Sequence, residues 1–459
     1  MLIIHAHNNH HKDREYIYDI VLRYFWGLEY KLVYEERDNL AIELDGKWLN
    51  IDDSFFQIDE KDWLTESSLP NQPLKVIELS DDIREAAVEP QLPVIYGKCN
   101  TNSIFSDDNN TCYVDIFGSA FFMLTRYEEV VKQDRDQFDR FPARASLAYQ
   151  EGFLERPIIN EYLEILWRWM KKYKKDLYRR ERKFLIMPTH DVDVPFLALC
   201  LSSWKKIRLL VGDVIKRRSI SLFYKNMSLF FMAFLGKYDK DPRNTFEYIM
   251  NCSDKFGVTS TFYFMTTRGR SEKDGNYSIY QQQIVNLAKN IINQGHFIGI
   301  HPGFGSYDNK IWLKDDVEAL REMISKESLK VKKFGGRQHY LSWKCPDTWE
   351  YYENMEILYD TTLGYAEHIG FRCGVCYEYP CYNVLQHKVY NLKEVPLIIM
   401  DCTLWDHRYM NLHKDDMLPQ CIKLKQRCEK YNGTFVILWH NNHFDDDFYM
   451  RLYESIISK

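Results

Sequence analysis

Short apolar runs that end in ionisable residues recur through the second half of the chain. Residues 184–188, 297–300 and 434–438 are strand-like runs, and each is followed within five residues by an aspartate or a histidine. Between them, the apolar residues at 284, 287, 288, 291 and 292 have helical spacing, and Gly295 ends that helix. Strands that alternate with helices predict an α/β fold with parallel strands.

The first third of the chain has a different pattern. Strand-like pieces at 32–34, 48–51, 94–96 and 113–116 precede a predicted helix at 119–131, and the charged stretch 132–140 is typical of a linker or exposed loop. Apolar residues at helical spacing predict another helix over 160–173. We therefore predict an α+β N-terminal domain over residues 1–135, a linker and connecting helix over 136–182, and the main α/β domain over 183–459.

Composition supports a globular protein of two or more domains. The 459 residues are 45% hydrophobic, which is enough for substantial cores, and the formal net charge of −6 argues against a nucleic-acid-binding protein. The eleven cysteines are an odd, scattered set that fits reduced thiols, and the N-terminus shows no secretory signal. We expect a cytoplasmic protein. The four histidines among the first eleven residues are expected in a solvated loop, and the oligomeric state stays open.

A basic segment interrupts the main domain at about residues 197–240. Between residues 205 and 225 it has seven lysines or arginines against a single acid, Asp213, and the apolar run 229–235 follows. Seven apolar residues cannot span a bilayer. The preferred interpretation is a helical insertion packed over the domain. The alternative is an interfacial surface at 205–235 that contacts the anionic inner membrane from the cytoplasmic side.

The strand ends carry the candidate chemistry. Asp191 and Asp193 lie one residue apart after the first apolar run, and His301, Arg337 and His440 follow later runs. In barrels of alternating strands and helices, catalytic groups gather at the C-terminal ends of several strands. Two neighbouring carboxylates there can accept a proton and hold a metal ion, respectively.

In these motifs, residues 183–459 resemble the polysaccharide deacetylase family of carbohydrate esterases. The resemblance implies a distorted (β/α) barrel with a divalent metal, commonly zinc, in which Asp191 is the base and Asp193 a metal ligand. It also implies that Arg337 orients the base and that His440, in the motif Leu438-Trp439-His440, is the general acid. His301 fits the first member of the family's histidine pair, but the residue four positions later is Gly305.

Residues 117–122, 337–341 and 359–365 resemble a bacterial subgroup with an extra N-terminal domain and links to surface-polysaccharide assembly. The expected function is therefore removal of an N-acetyl, or alternatively O-acetyl, group from a sugar or polysaccharide precursor in that biosynthesis. The alternative is a catalytically degenerate barrel that binds carbohydrate or a partner protein. Zinc suits an aspartate–histidine site, although nickel, cobalt, manganese or iron would also be accepted.

The third metal ligand and the substrate contacts are less defined by sequence. Asp193 and His301 are too few ligands for zinc, so His339 either replaces the missing histidine or contacts the substrate. The polar, glycine-containing segment 360–372 is interpreted as a strand followed by a loop at the barrel mouth, where its side chains bind the substrate or form an internal ion pair. The candidate substrate-binding residues are Asp360, His368, Arg372 and Trp439.

Overall fold

The computed structural model describes residues 2–98, 103–266, 270–444 and 446–458. Its strands are β1 Leu2–His7, β2 Tyr30–Glu35, β3 Leu40–Leu44, β4 Lys47–Ile51, β5 Lys75–Glu78, β6 Gln91–Val94, β7 Thr111–Cys112, β8 Leu185–Val192, β9 Thr261–Phe264, β10 Phe297–Ile300, β11 Gly335–Gly336, β12 Tyr359–Asp360, β13 Tyr379–Asn383, β14 Lys388–Glu394, β15 Ile399–Met400 and β16 Thr434–Leu438.

The helices alternate with the strands through the second half of the chain. They are α1 His11–Tyr18, which continues as a π-helical turn over Asp19–Phe25, α2 Asp81–Arg84, α3 Ile116–Leu124, α4 Tyr127–Val131, α5 Leu147–Gln150, α6 Ile158–Tyr173, α7 Leu197–Cys200, α8 Ser203–Ile215, α9 Ile220–Phe234, α10 Phe246–Phe256, α11 Gln282–Asn293, α12 Lys310–Lys326, α13 Asp347–Asn354, α14 Asp401–Trp405, α15 Lys414–Lys430 and α16 Asp447–Ile457. Among the described residues, no helix has both the length and the apolar character to cross a membrane.

A nine-stranded sheet forms the centre of the second half, in the order β13-β14-β12-β11-β10-β9-β8-β16-β15. All neighbours are parallel except β13 and β14, which form an antiparallel hairpin. The predicted α/β class with parallel strands is confirmed. β13 and β15 end the hydrogen-bonded order without pairing to each other, so the distorted barrel stays a prediction.

Burial on both faces explains why these strands are continuous apolar runs. All four residues of β9 and nearly all of β10 and β16 are buried, as expected for parallel strands covered by helices on each side. The helix predicted between the His301 strand and its predecessor is α11, which buries Ile284, Leu287, Ala288 and Ile291. Gly295 follows it at φ +88°, a left-handed conformation that glycine adopts without strain.

The N-terminal sheet has the order β2-β1-β3-β4-β7, with β1 parallel to β2 and antiparallel to β3. The expectation of a solvated loop at the N-terminus is wrong for β1. Its Leu2, Ile4 and Ala6 enter the core, and the buried His5 places Nε2 3.0 Å from a carboxylate oxygen of Glu43.

The first third packs directly on the second half, and one hydrophobic core includes residues of both. The predicted helix over 119–131 is two helices, α3 and α4, because Arg126 between them has φ +56°. Residues 132–140, predicted as a linker or exposed loop, contact the second half of the chain. Arg140 binds Asp136 and donates from Nη1 to the Tyr340 carbonyl at 3.0 Å.

Candidate active site

Parallel strands bring the predicted catalytic residues to one edge of the large sheet. β8 contains Asp191 and ends one residue before Asp193, while His301 and Arg337 directly follow β10 and β11. His440 lies two residues beyond β16, which pairs with β8. Because these strands all run in the same direction, their C-terminal ends and the side chains there converge.

Three side chains form a candidate metal centre. Asp193 Oδ1 lies 3.3 Å from His301 Nε2 and 3.8 Å from His339 Nε2, and one ligand atom from each residue lies within 4.8 Å of the others. Asp193 Oδ1 and His301 Nε2 are buried without a hydrogen-bond partner among the described residues. Buried polar atoms without partners are unfavourable unless something else occupies their lone pairs, so these residues fit a cation.

The Nδ1 atoms of His301 and His339 each lie within hydrogen-bonding distance of an acceptor. His301 Nδ1 lies 2.7 Å from the Arg337 carbonyl oxygen, which can only accept, so Nδ1 carries a proton and Nε2 is the ring atom that faces Asp193. His339 Nδ1 lies 3.0 Å from Oδ1 of Asp274, whose side chain is buried. Such outer partners fix the tautomer and orientation of metal-binding histidines. Two imidazoles and a carboxylate match the three protein ligands of a catalytic metal centre.

Electrostatics keep the Asp193 carboxylate ionised. Burial would raise the pKa of Asp193, but the imidazoles of His339, His301 and His440 outweigh burial and hold this pKa well below its ordinary value. An ionised carboxylate is the form that binds a metal.

Asp191 has the contacts expected of an oriented base. Its Oδ1 accepts from Arg337 Nη1 at 3.1 Å, and Oδ2 lies 3.7 Å from His301 Nε2, on the side of the candidate metal centre. Arg337 is fully buried and is itself fixed by bonds to the Thr361 carbonyl at 3.0 Å and the Thr189 hydroxyl at 2.8 Å. The arginine therefore holds one carboxylate oxygen and leaves the other facing the cleft.

His440 faces the second carboxylate oxygen of Asp193 and is paired with a buried acid. Its Nε2 is 3.7 Å from Asp193 Oδ2, while its Nδ1 is 2.8 Å from Asp401 Oδ1. Burial lowers the pKa of His440, but the Asp401 carboxylate outweighs it and raises the pKa to about 10. This imidazole is therefore protonated at neutral pH.

Asp401, His440 and His443 form a second cluster of metal-ligand type. Here the carboxylate is already satisfied, because Oδ1 is bonded to His440 Nδ1, and Oδ2 is 2.7 Å from both His443 Nδ1 and the His440 backbone nitrogen. The Asp193 cluster, whose carboxylate has an unpartnered oxygen, is thus the better cation site.

The cleft above these residues has a volume of about 260 Å³, with Tyr340, Trp405 and Asn442 among its walls. Beside it lies a groove of about 770 Å³, lined by residues such as Arg135, Arg144 and Tyr149. The cleft and the groove share Arg140, Arg408 and Tyr409. Residues from before the large sheet therefore form part of the surface beside the site.

Gly305 does not contribute a ligand, and the structure offers a reason. It has φ +94°, where a side chain would be strained, and a Cβ there would lie 3.0 Å from the Trp312 ring. His339 follows β11 at the same sheet edge and occupies the position beside Asp193. In the cluster with Asp193 and His301, the second imidazole therefore comes from His339 and not from position 305.

Three of the four predicted substrate-binding residues are placed elsewhere. Asp360, Arg372 and Trp439 are buried and line neither the cleft nor the groove, so that expectation is wrong for them. Arg372 forms the internal ion pair that was the alternative, with its Nη2 2.6 Å from Glu129 Oε2. His368 lies on the groove wall.

Asp360 is a buried acid behind Arg337, and we expect it to give folding stability a distinctive pH dependence. Burial raises its pKa to about 7. Between pH of about 4 and about 7 the folded chain then binds more protons at this site than the unfolded chain, so the site's contribution to stability falls as pH rises. Asp360→Asn should gain stability relative to the wild type across this window in urea unfolding.

The control for this pH series is Asp308→Asn, an exposed aspartate that pairs with Lys344. Its difference from the wild type should vary little with pH. A pH-independent difference for Asp360→Asn would contradict a raised pKa at this position.

Sequence reasoning missed Asp401, His443 and Asp274. Asp401 follows the apolar run 397–400 and obeys the same strand-end pattern that pointed to the other residues. His443 lies three residues after His440, at the mouth of the cleft. Asp274 comes from the loop after β9, and the sequence carries no comparable signal for it.

Comparisons with known proteins gave distant matches. A model for a family of unknown function, DUF7033, matches residues 2–175 and so ends before β8. The search of the curated proteins gave no significant match.

Solved structures were also similar at low identity. A protein from Mycobacterium smegmatis described as a polysaccharide deacetylase is 14% identical, with 61% of this chain and 84% of that chain covered and a TM-score of 0.38. The Puue allantoinase is 11% identical over 60% of this chain and 83% of its own, with a TM-score of 0.35. A protein from Pseudomonas aeruginosa PAO1 described as a polysaccharide deacetylase is 10% identical over 46% of this chain and 65% of its own, with a TM-score of 0.31.

Proposed function

We propose that this chain is a metal-dependent hydrolase that removes an acetyl group from the nitrogen, or the oxygen, of a sugar. One observation supports this above all: the ligand set of Asp193, His301 and His339 lies between an arginine-bound carboxylate and a histidine–aspartate pair. Amide hydrolysis needs these three functions together, a metal centre, a base and an acid.

Asp193, His301 and His339 would hold the metal, with zinc the first candidate. A bound divalent ion lowers the pKa of water toward about 7 and polarises the acyl carbonyl. Asp191 takes the proton of the attacking water on its free oxygen, Oδ2. Arg337 keeps that carboxylate oriented through the bond from its Nη1 to Oδ1.

His440 then supplies a proton to the departing amine. Without this proton the tetrahedral intermediate expels the water-derived oxygen and reverts to substrate. Asp401 prepares His440 for this role, since it binds Nδ1 and stabilises the imidazolium, and Nε2 faces the reaction centre. The second histidine on Asp401, His443, lines the cleft and helps to fix the carboxylate.

The groove beside the cleft supports a carbohydrate with more than one sugar unit. It offers arginines, Tyr149 and His368 for hydroxyls and rings, and residues 135–149 supply much of its wall. Residues 136–182 would thus form a connector that shapes the binding surface beside a distorted barrel over 183–459, and residues 1–135 would form an N-terminal domain. A precursor of a bacterial surface polysaccharide is the proposed substrate class. A purely binding role leaves the paired base and acid unexplained.

We expect His339→Ala to lose the metal. Because only Asp193 and His301 remain, the content should fall from about one ion per chain in the zinc-reconstituted wild type to well below one. Elemental analysis after gel filtration measures this, with Asp193→Ala and His301→Ala as further variants. His443→Ala is the matched control, a histidine of the same cleft that should keep its ion.

Retention of the ion by His339→Ala would restrict the ligands to Asp193 and His301 and refute the proposed set. The activity itself is tested by acetate release from N-acetylated and O-acetylated oligosaccharides with the metal-loaded protein. A fully loaded protein that releases no acetate from either class would overturn the deacetylase proposal.

A further inference from the structure

The basic insertion is a helical hairpin that stands on the protein surface. α8 and α9 pack against each other. Asp213 of α8 links them, since its carboxylate accepts from Arg217 and, at 2.7 Å, from Asn226 Nδ2 of α9. At the base, the Asp241 carboxylate accepts from the backbone nitrogens of Leu197 and Ala198, both at 2.9 Å. This contact joins the start of the insertion to its end.

The hairpin is not packed over the domain, so that preferred expectation is wrong. In α8 only Asp213 is buried, and α9 has no buried residue. None of the apolar side chains between 203 and 235 belongs to the core or packs against it. The apolar surface of the hairpin is therefore left to solvent.

This apolar surface is periodic. In α8 the exposed apolar residues recur at spacings of three and four, and α9 repeats the pattern, so each helix presents a stripe. Phe234 is 86% exposed and Trp204 71%. The stripes consist of Trp204, Ile207, Val211, Val214 and Ile215 in α8, and Ile220, Tyr224, Met227, Phe231 and Phe234 in α9. Exposed apolar area of this kind marks an interaction surface.

The charge of the hairpin is opposite to that of the whole chain. Residues 203–234 contain seven lysines or arginines and one aspartate, a net charge of +6 in a chain with a formal net charge of −6. The single acid, Asp213, is buried and bonded to Arg217, so it does not face a partner. The basic residues are Lys205, Lys206, Arg208, Lys216, Arg217, Arg218 and Lys225.

We propose that this hairpin binds the surface of an anionic lipid bilayer, with both helices lying in the interface. Exposed aromatic and aliphatic stripes among lysines and arginines are the composition of interfacial helices, and the basic charge is attracted to anionic headgroups. With 13 and 15 residues, α8 and α9 are too short to span the bilayer. A second copy of the hairpin is a poorer partner, because two surfaces of +6 repel each other.

The position of the hairpin relates the membrane to the cleft. α7 begins four residues after Asp193, so the hairpin grows from the same sheet edge as the candidate active site. A bilayer bound there would present lipid-attached molecules at that edge. Membrane binding itself does not depend on the proposed hydrolase activity, so the two proposals can fail separately.

Co-sedimentation of the full chain with vesicles tests the proposal. We expect binding to phosphatidylcholine vesicles with about 30% phosphatidylglycerol, a loss of at least about tenfold on phosphatidylcholine alone, and weakening as salt rises. Phe231→Ser/Phe234→Ser and Lys205→Glu/Lys206→Glu/Arg208→Glu should each lose binding. Ile311→Ser, which removes an equally exposed apolar residue of α12, is the matched control and should bind like the wild type.

Because the hairpin contributes nothing to the core, we expect the variants to fold like the wild type. Circular dichroism and metal content check this. Absence of binding to the anionic vesicles, or equal binding to both vesicle types at all salt concentrations, would overturn the proposal. A second result would also overturn it. If light scattering shows a wild-type dimer, and Phe231→Ser/Phe234→Ser is a monomer with unchanged vesicle binding, the stripes contact a second copy of the chain.

Discussion

Asp191→Asn is expected to lower kcat/KM for acetyl release by a factor of about 10²–10⁴, the usual contribution of a general base. Asparagine keeps the size of the side chain and can still accept from Arg337 through its amide oxygen. It cannot take the proton of the attacking water. The rate should therefore fall while the fold and the metal centre persist.

The measurement combines acetate release with the metal content of the same preparation. Asp308→Asn is the control for the aspartate-to-asparagine change, because Asp308 pairs with Lys344 away from the cleft and should have wild-type kinetics. Wild-type activity of Asp191→Asn would exclude the base role. Loss of the ion would instead make Asp191 a ligand, a distinction that matters because its Oδ2 is 3.7 Å from His301 Nε2.

The convergence of the candidate catalytic residues could be predicted because the strand-end rule is local. Asp191, His301 and His440 each follow an apolar run, and a parallel sheet aligns all such ends at one edge whatever the order of its strands. The same rule applies to Asp401, which directly follows the short strand β15. The rule cannot give the distances between these residues along the sheet edge, because those distances depend on the order of the strands.

Long-range partners could not be predicted. Arg372 lies in a polar segment that is equally suited to a substrate loop or a buried ion pair, and its partner Glu129 is 243 residues away. Asp274 reaches His339 from a loop whose path no periodic pattern defines. For the hairpin, the basic and apolar residues were evident, but whether they face a core or solvent depends on the tertiary fold.

Glu129→Gln should destabilise the protein by about 3–5 kcal/mol, the range for removing one partner of a buried ion pair. Glu129 Oε1 accepts from the Nε atoms of Arg372 and Arg126, each at 2.9 Å, and all three residues are buried. Burial raises the pKa of Glu129, but the two guanidinium groups outweigh it and leave the pKa lowered. A neutral glutamine would remove the carboxylate that both buried guanidinium groups share, while Glu128 would still lie 3.3 Å from Arg126.

The sign of the pH effect follows from the same contacts. Since the pKa of Glu129 is lower in the folded chain, its stabilisation is complete above the ordinary pKa of a glutamate and is lost as pH falls through the lowered value. Glu129→Gln should thus differ most from the wild type at neutral pH in urea unfolding. Asp82→Asn, which breaks the exposed pair with Lys172, is the control and should cost less than about 1 kcal/mol. A similar small loss for Glu129→Gln would show that the network does not hold segment 360–372 against the N-terminal helices.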